Sequence, residues 1–324
     1  MAKIKVEDNM VWVLLAAVRL YSANFLKFCG YMLFPVLGQV LGLGLIFGLA
    51  AVYMTYLPDL ALKYDVLKDF STIILSVIII VVPGLLVFMK AFWDYLVAYG
   101  ALNSITEGFL TTGRIYDYPA HNETVTRQAM KYIGLWFLYS MFWLVALCPL
   151  FWVVGAFFFI YFILIFQVFT FEQDASPARC FSRSFELIRG SGIRTLLILI
   201  VLGVITFLFI QGVSVIFDFV KLTEFLSEAF EQSLVNYVPI DSINDMMLRI
   251  NPSFDLITPS KVATGFVYQI VSFIVAGFTL PLRSICWTLW YKALRGRNKQ
   301  TVRVGKRRQL DSEIIERATR KYND

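Results

Sequence analysis

YIGLWFLYSMFWLVALCPLFWVVGAFFFIYFILIFQVFTF, residues 132–171, runs forty positions without a charged side chain. Placing Asp, Lys or Arg at the centre of a membrane helix costs roughly 2.5–3.5 kcal/mol on insertion scales, so such a run predicts hydrocarbon as the surrounding medium. At about 1.5 Å per residue the run is too long for one crossing, and Cys148-Pro149 near its middle predicts a tight helical hairpin. Four more uncharged runs lie at 28–58, 70–89, 195–217 and 262–282. Because hydrocarbon forces every backbone polar group to bond internally, these runs predict helices. The expected fold is an all-α polytopic membrane bundle of six transmembrane helices, over about 30–57, 70–104, 132–148, 150–171, 195–217 and 262–291.

Composition agrees. The 324-residue chain is 58% hydrophobic and 16% charged, against roughly 25% charge in soluble domains. A membrane domain over 1–291 and a basic cytoplasmic tail over 292–324 account for all of it. Cys29, Cys148, Cys180 and Cys286 are scattered without C-x-x-C spacing and read as reduced packing residues rather than a disulfide or metal set. His121 is the only histidine, which removes the commonest general base and metal ligand from any catalytic reading. No Walker loop, G-x-G-x-x-G, G-x-S-x-G or H-E-x-x-H occurs, so neither an enzyme nor a cofactor or metal is expected. A removable signal peptide is not expected either, since Arg19 interrupts the first apolar stretch and no small-residue cleavage site follows.

Orientation follows from Lys and Arg, which are retained on the cytoplasmic side of span ends. With the N-terminus inside, the cytoplasmic segments hold Lys3, Lys5, Arg19 and Lys27, then Arg114, Arg127 and Lys131, then Arg179, Arg183, Arg189 and Arg194, then eleven bases from Lys292 onward. That places twenty-two inside, against Lys63, Lys68, Lys221, Arg249 and Lys261 outside. An inner-membrane protein with both termini cytoplasmic is expected. The outer loop 218–261 carries seven acids and three bases, and Leu222, Phe225, Leu226, Ala229 and Phe230 recur at helical spacing within it. A second helical piece is expected from Asp241 or Ser242 to before Pro252.

Three times an Arg-bearing amphipathic segment precedes a span on the cytoplasmic side: about 8–27, from Asn122, and 176–190. In the last, Ser176 is the expected cap, Pro177 opens the first turn and Gly190 ends the helix. Ala178, Phe181, Phe185 and Ile188 share one face, with Arg179, Arg183 and Glu186 opposite, the pattern of an interfacial helix with arginines toward anionic headgroups.

The stretches AVRLYSANF (17–25), FEQDASPARCFSRSFELIRG (171–190) and LPLRSICWTLWYKALRGR (280–297) resemble the bacterial YciC-like membrane proteins and the related membrane domain found beside glycerophosphoryl diester phosphodiesterases. The resemblance covers most of the chain in layout and implies a six-helix inner-membrane fold without a reaction. Where those families commonly place an acid after the final Tyr, this chain has Lys292-Ala293, and no His/Glu/Asp constellation supports a phosphodiesterase domain.

Three residues are candidates for a substrate or ion pathway. Lys90 and Asp94 lie four apart on one helical face and can pair. They line a functional site if the second helix continues to about 104, or snorkel at the interface if the span ends near 90. Arg283 follows Pro281 in the last span and is the third. Anionic-lipid contact is expected from Arg127, Lys131, Arg179, Arg183, Arg189, Arg295, Arg297, Lys306, Arg307 and Arg308, at roughly 1 kcal/mol per basic residue near the surface. Gly38, Gly42, Gly44 and Gly48 form two small-x-x-x-small pairs for close helix packing, within the bundle or in a homodimer. Nucleic acid is not an expected partner, because aromatic residues do not interleave the tail bases. The first functional expectation is a non-enzymatic protein that organises or assists membrane or envelope components through lipid and protein contacts. The alternative is a permease for a small or lipid-like solute, built on Lys90, Asp94 and Arg283.

Overall fold

The computed structural model describes residues 9–113, 115, 118–146, 152–172, 176–237, 240–250, 252–253 and 255–297. Among them the regular structure is entirely helical. In order come α1 (Met10–Ala23), α2 (Phe25–Lys63), a 3-10 turn (Asp65–Lys68), α3 (Phe70–Thr112), α4 (Tyr118–Thr126), α5 (Ala129–Ala146) and α6 (Trp152–Tyr161). Then follow α7 (Ile165–Phe171), α8 (Pro177–Ile188), α9 (Gly192–Phe219), α10 (Leu222–Tyr237), α11 (Ile240–Ile250) and α12 (Pro259–Phe278). A last helix, α13, covers 280–297.

Among the described residues five stretches are long and apolar enough to cross a membrane: α2, Ser71–Thr112 of α3, Trp152–Phe171, α9 and α12. They leave Leu41, Phe47, Ile79, Leu86, Leu208 and Ile216 exposed. Apolar surface of that extent is stable against hydrocarbon rather than water, so the chain is a multi-pass membrane protein.

Several boundaries differ from the expected ones for identifiable reasons. α3 continues past 104 to Thr112. The 150–171 stretch breaks at 162–164, where the Ile165 amide turns back to the Phe162 carbonyl at 3.3 Å. The expected 262–291 helix divides at Thr279, whose amide and Oγ1 both donate to the Val275 carbonyl at 2.9 Å. Pro281, lacking an amide, cannot continue that ladder. The segment from Asn122 is likewise divided, α4 ending at Thr126 and α5 starting at Ala129. Cys148 and Pro149 lie outside the described residues.

The chain forms two compact units. One comprises 26–96 and 202–280. Here α2 and α3 meet at backbone distance: a Cβ on Gly38 would stand 2.8 Å from Ala91 Cβ, one on Gly42 2.5 Å from the Phe88 amide nitrogen, and one on Gly84 2.6 Å from the Ile46 nitrogen. Gly44 and Gly48 face open space. So only one of the two expected glycine pairs, Gly38 with Gly42, is used in this seam. In the 218–261 segment α10 docks on α12 through Phe230 and Phe266, ring centroids 4.9 Å apart. Asn244 on α11 brackets Ile257 by accepting from its amide and donating to its carbonyl, both at 2.9 Å.

The other unit comprises, among the described residues, 9–25, 97–201 and 281–297. α1 starts at Asn9, whose Oδ1 accepts from the Val11 amide at 2.9 Å, and buries Val13, Ala17, Leu20 and Tyr21. Leu102, Ile105, Tyr132, Leu135, Ile188, Trp290 and Tyr291 make a fully enclosed core in this unit.

Candidate functional site

Within the core of the second unit sits a polar cluster centred on Asn103 of α3, which has no exposed surface. Its Oδ1 accepts from Gln167 Nε2 at 3.1 Å, Ser284 Oγ at 2.9 Å and Thr288 Oγ1 at 3.1 Å. Its Nδ2 donates to Thr170 Oγ1 at 3.3 Å. The spacing explains the convergence: Gln167 and Thr170 are three apart on α7, and Ser284 and Thr288 four apart on α13, so each pair shares a helix face. One amide side chain thus clasps α3, α7 and α13. Gln167 Oε1 stays buried without a partner among the described residues, at a desolvation cost of about 1–3 kcal/mol. Nearby, Trp290 Nε1 donates to Thr195 Oγ1 at 3.0 Å, tying α13 to α9.

Charged groups flank this clasp. Glu172, just beyond α7, accepts from Arg183 Nε of α8 and from the Tyr291 hydroxyl of α13, each at 3.2 Å. Arg183 also donates to Glu186 at 2.9 Å. Burial pulls the Arg183 guanidinium down, but its hydrogen bonds and charge pairing with Glu186 and Glu172 outweigh that and hold it above its usual value. Lys292 Nζ lies 2.7 Å from Glu107 of α3 and stands 5.6 Å over the Phe171 ring, which itself stacks on Tyr291. The Glu172–Arg183 and Glu107–Lys292 pairs each tie one helix to another element, so the flank adds to the same clasp, whereas Arg183–Glu186 lies within α8.

α8 starts and ends where its sequence says. Ser176 Oγ accepts from the Arg179 amide at 3.3 Å, and Gly190 adopts φ +81°. Its inner face, however, is rotated from the expected one: Cys180, Phe181, Ser184, Leu187 and Ile188 are buried while Ala178 is exposed. Phe142 and Phe162 close on Phe181 at 5.2 and 5.0 Å. This face is therefore covered by side chains from α5 and from the turn before α7. Burial, then the Glu172 charge, pushes the Cys180 thiol up to about 11.

No protein-family model matches this chain. Neither does a curated protein or a solved structure. The site is consequently read from its own residues alone.

Among the expected pathway residues, Lys90 Nζ lies 2.5 Å from both Asp94 carboxylate oxygens and 5.9 Å over the Phe34 ring. The Lys90 side chain is 62% exposed and that of Asp94 28%. Both belong to the first unit described, whereas Arg283 is a half-buried residue of the other. Of the basic residues, Lys131, Arg179 and Arg189 are exposed, Arg127 is exposed and paired with Glu123 at 3.0 Å, and Arg183 is drawn into the Glu172 cluster. The Arg295 guanidinium stands 6.0 Å over the Tyr291 ring. Arg297 is half-buried, and Lys306, Arg307 and Arg308 lie outside the described residues. Among the described residues no three His, Cys, Asp or Glu side chains converge as a metal site.

Sequence reading passed over Asn103, Gln167, Glu107 and Glu172. A signal was there: Asn103, Gln167, Ser284 and Thr288 are hydrogen-bonding residues within strongly apolar helices, where an unbonded polar group is costly and partners are therefore to be sought on other helices.

Proposed function

We propose that this is a non-enzymatic protein of the cytoplasmic membrane that organises or assists membrane and envelope components through lipid and protein contacts. In this reading α5 is the sixth crossing, both termini are cytoplasmic, and α1, α4 and α8 lie at the headgroup level. The observation that supports it most is how the polar groups are distributed. The interior polar and charged side chains, from Asn103 to Glu172 and Lys292, bond to one another across helices, while Lys131, Arg179 and Arg189 remain directed outward. A locked interior beneath a basic exterior suits a binding body, because electrostatic attraction to anionic lipid is carried by the surface alone. The resemblance of 17–25, 171–190 and 280–297 to the YciC-like membrane proteins fits the same reading.

The test is lipid binding of the purified protein to vesicles of phosphatidylglycerol or phosphatidylcholine as salt is raised. Preference for phosphatidylglycerol that fades with salt, and weakens when Arg179 and Arg189 are both changed to Gln, is expected; equal binding to both lipids would refute the reading. A permease built on Lys90, Asp94 and Arg283 is the weaker alternative, since Lys90 and Asp94 neutralise each other on a largely exposed face.

A further inference from the structure

Arg189, Gly190 and Ser191 join α8 to α9. The Ser191 carbonyl accepts from the Thr195 amide at 3.0 Å, the first rung of α9, which makes Ser191 its capping residue. A hydroxyl at that position stands beside the first-turn amides and ordinarily accepts from one of them. Here it does not: Ser191 is 3% exposed, and its hydroxyl has no hydrogen-bond partner among the described residues. The Gly192 and Ile193 amides donate to nothing among them either. α9 runs 28 residues with no acid in its first turn, so the positive end of its dipole is uncompensated.

Other groups of the same electrical sense surround this turn. The Tyr161 hydroxyl would stand 3.1 Å from a Cβ on Gly192, and its ring is set by Phe157 and Phe185, centroids 4.4 and 5.1 Å away. Arg189 is exposed and ion-pairs with nothing among the described residues, whereas Glu172 and Glu186 are both taken up by Arg183. Room is available too, since Gly190, at φ +81°, has open space where its Cβ would be. Unspent amides at a helix start, a buried hydroxyl without an acceptor and an adjoining guanidinium are the donor set of a phosphate site.

The apolar surroundings say on what molecule the phosphate arrives. Arg194 is the last charge before the uncharged run 195–217, and Ile193, Leu197, Ile200 and Val204 form an exposed stripe at helical spacing leading away from the turn. A soluble anion makes no use of that stripe, whereas an acyl chain does. We infer that the start of α9 seats the phosphate of one anionic lipid, with its chain along Ile193, Leu197 and Ile200. The phosphate oxygens accept from the Gly192 and Ile193 amides and from the Ser191 and Tyr161 hydroxyls, and Arg189 balances the charge. A choline headgroup would bring its own cation against Arg189 and is disfavoured. The inference rests on the lipid-binding role proposed above and narrows it from a basic surface to one seat.

The experiment is native mass spectrometry of the full-length protein released from nanodiscs holding equal phosphatidylglycerol and phosphatidylcholine with identical acyl chains. One retained phosphatidylglycerol per protein, favoured about tenfold, is expected. Ile193 is 78% exposed, so Ile193→Glu is accommodated, and its carboxylate suits the helix start while repelling the phosphate. Retention should be lost in that variant with no fall in melting midpoint. Arg19→Gln lowers the net charge by the same single unit on the exposed side of α1 and should leave the lipid in place. Equal retention in the two variants, high or low, overturns the seat, even where vesicles still show the salt-sensitive preference for phosphatidylglycerol. Inorganic phosphate that raises the melting midpoint of delipidated protein, with no lipid retained from nanodiscs, assigns the turn to a soluble anion and overturns it as well. Only absence of the vesicle preference itself removes the reading on which the seat rests.

Discussion

Ser184 Oγ donates to the carbonyl oxygen of Tyr161 at 2.7 Å. That carbonyl is the one released where the helix breaks at 162–164, because the Ile165 amide that would have met it bonds to Phe162 instead. A hydroxyl from α8 thus completes the backbone of the broken span, and α8 is held at the break by this bond as well as by its phenylalanines. Ser184→Ala removes the donor and leaves a buried acceptor. A loss of about 1–3 kcal/mol is expected in thermal or denaturant unfolding in detergent, with Ser184→Thr less damaging.

Asn103 is the acceptor for three donors, so Asn103→Leu strands Gln167, Ser284 and Thr288 together. We expect at least about 2 kcal/mol of destabilisation. Ser284→Ala and Thr288→Val should be non-additive when combined, because they share one oxygen. A double-mutant cycle on unfolding free energies measures this.

Gly42 and Gly44 are two residues apart and opposite in environment. Gly42→Ala puts a methyl 2.5 Å from the Phe88 backbone nitrogen, which cannot retreat as a flexible side chain would, and is expected to cost about 1–3 kcal/mol. Gly44→Ala meets nothing within 4 Å and should stabilise the helix by up to about 1 kcal/mol. Melting midpoints of the two variants, compared in the same detergent, decide it.

Cys180 titrates near 11 in the folded protein against 9.0 for the free thiol, with burial as the first cause and Glu172 as the second. The folded state therefore holds the thiol proton more tightly than the unfolded chain. Its contribution is fully present below pH 9 and is lost as pH rises through about 11. Stability should fall between pH 9 and 10.5 in the natural protein and fall less in Cys180→Ala. At neutral pH Cys180 should resist maleimide until the protein is denatured.

Much of this was legible in order along the chain. Ser176, Pro177 and Gly190 mark α8 because capping and a left-handed turn are local demands that single residue types meet. The apolar spacing of 222–230 likewise marks α10, since it repeats with the helix itself. The break at 162–164 was not legible, because an apolar run looks the same whether or not one carbonyl finds its partner on another helix, whereas the break at Thr279 is marked locally by Pro281. Nor was the role of Glu172, which acts through Arg183 and Tyr291, eleven and 119 positions away.

By itself the sequence determined the medium and the elements: exclusion of charge over five long runs demands hydrocarbon, and hydrocarbon demands helices. Tertiary structure alone decided which polar residues meet, that Asn103 gathers α7 and α13, that Gly42 packs while Gly44 faces out, and that α8 turns Ser184 inward. The reason is physical. Solvent preference acts on each residue where it stands, whereas a hydrogen bond or a backbone contact exists only once two distant helices share a surface.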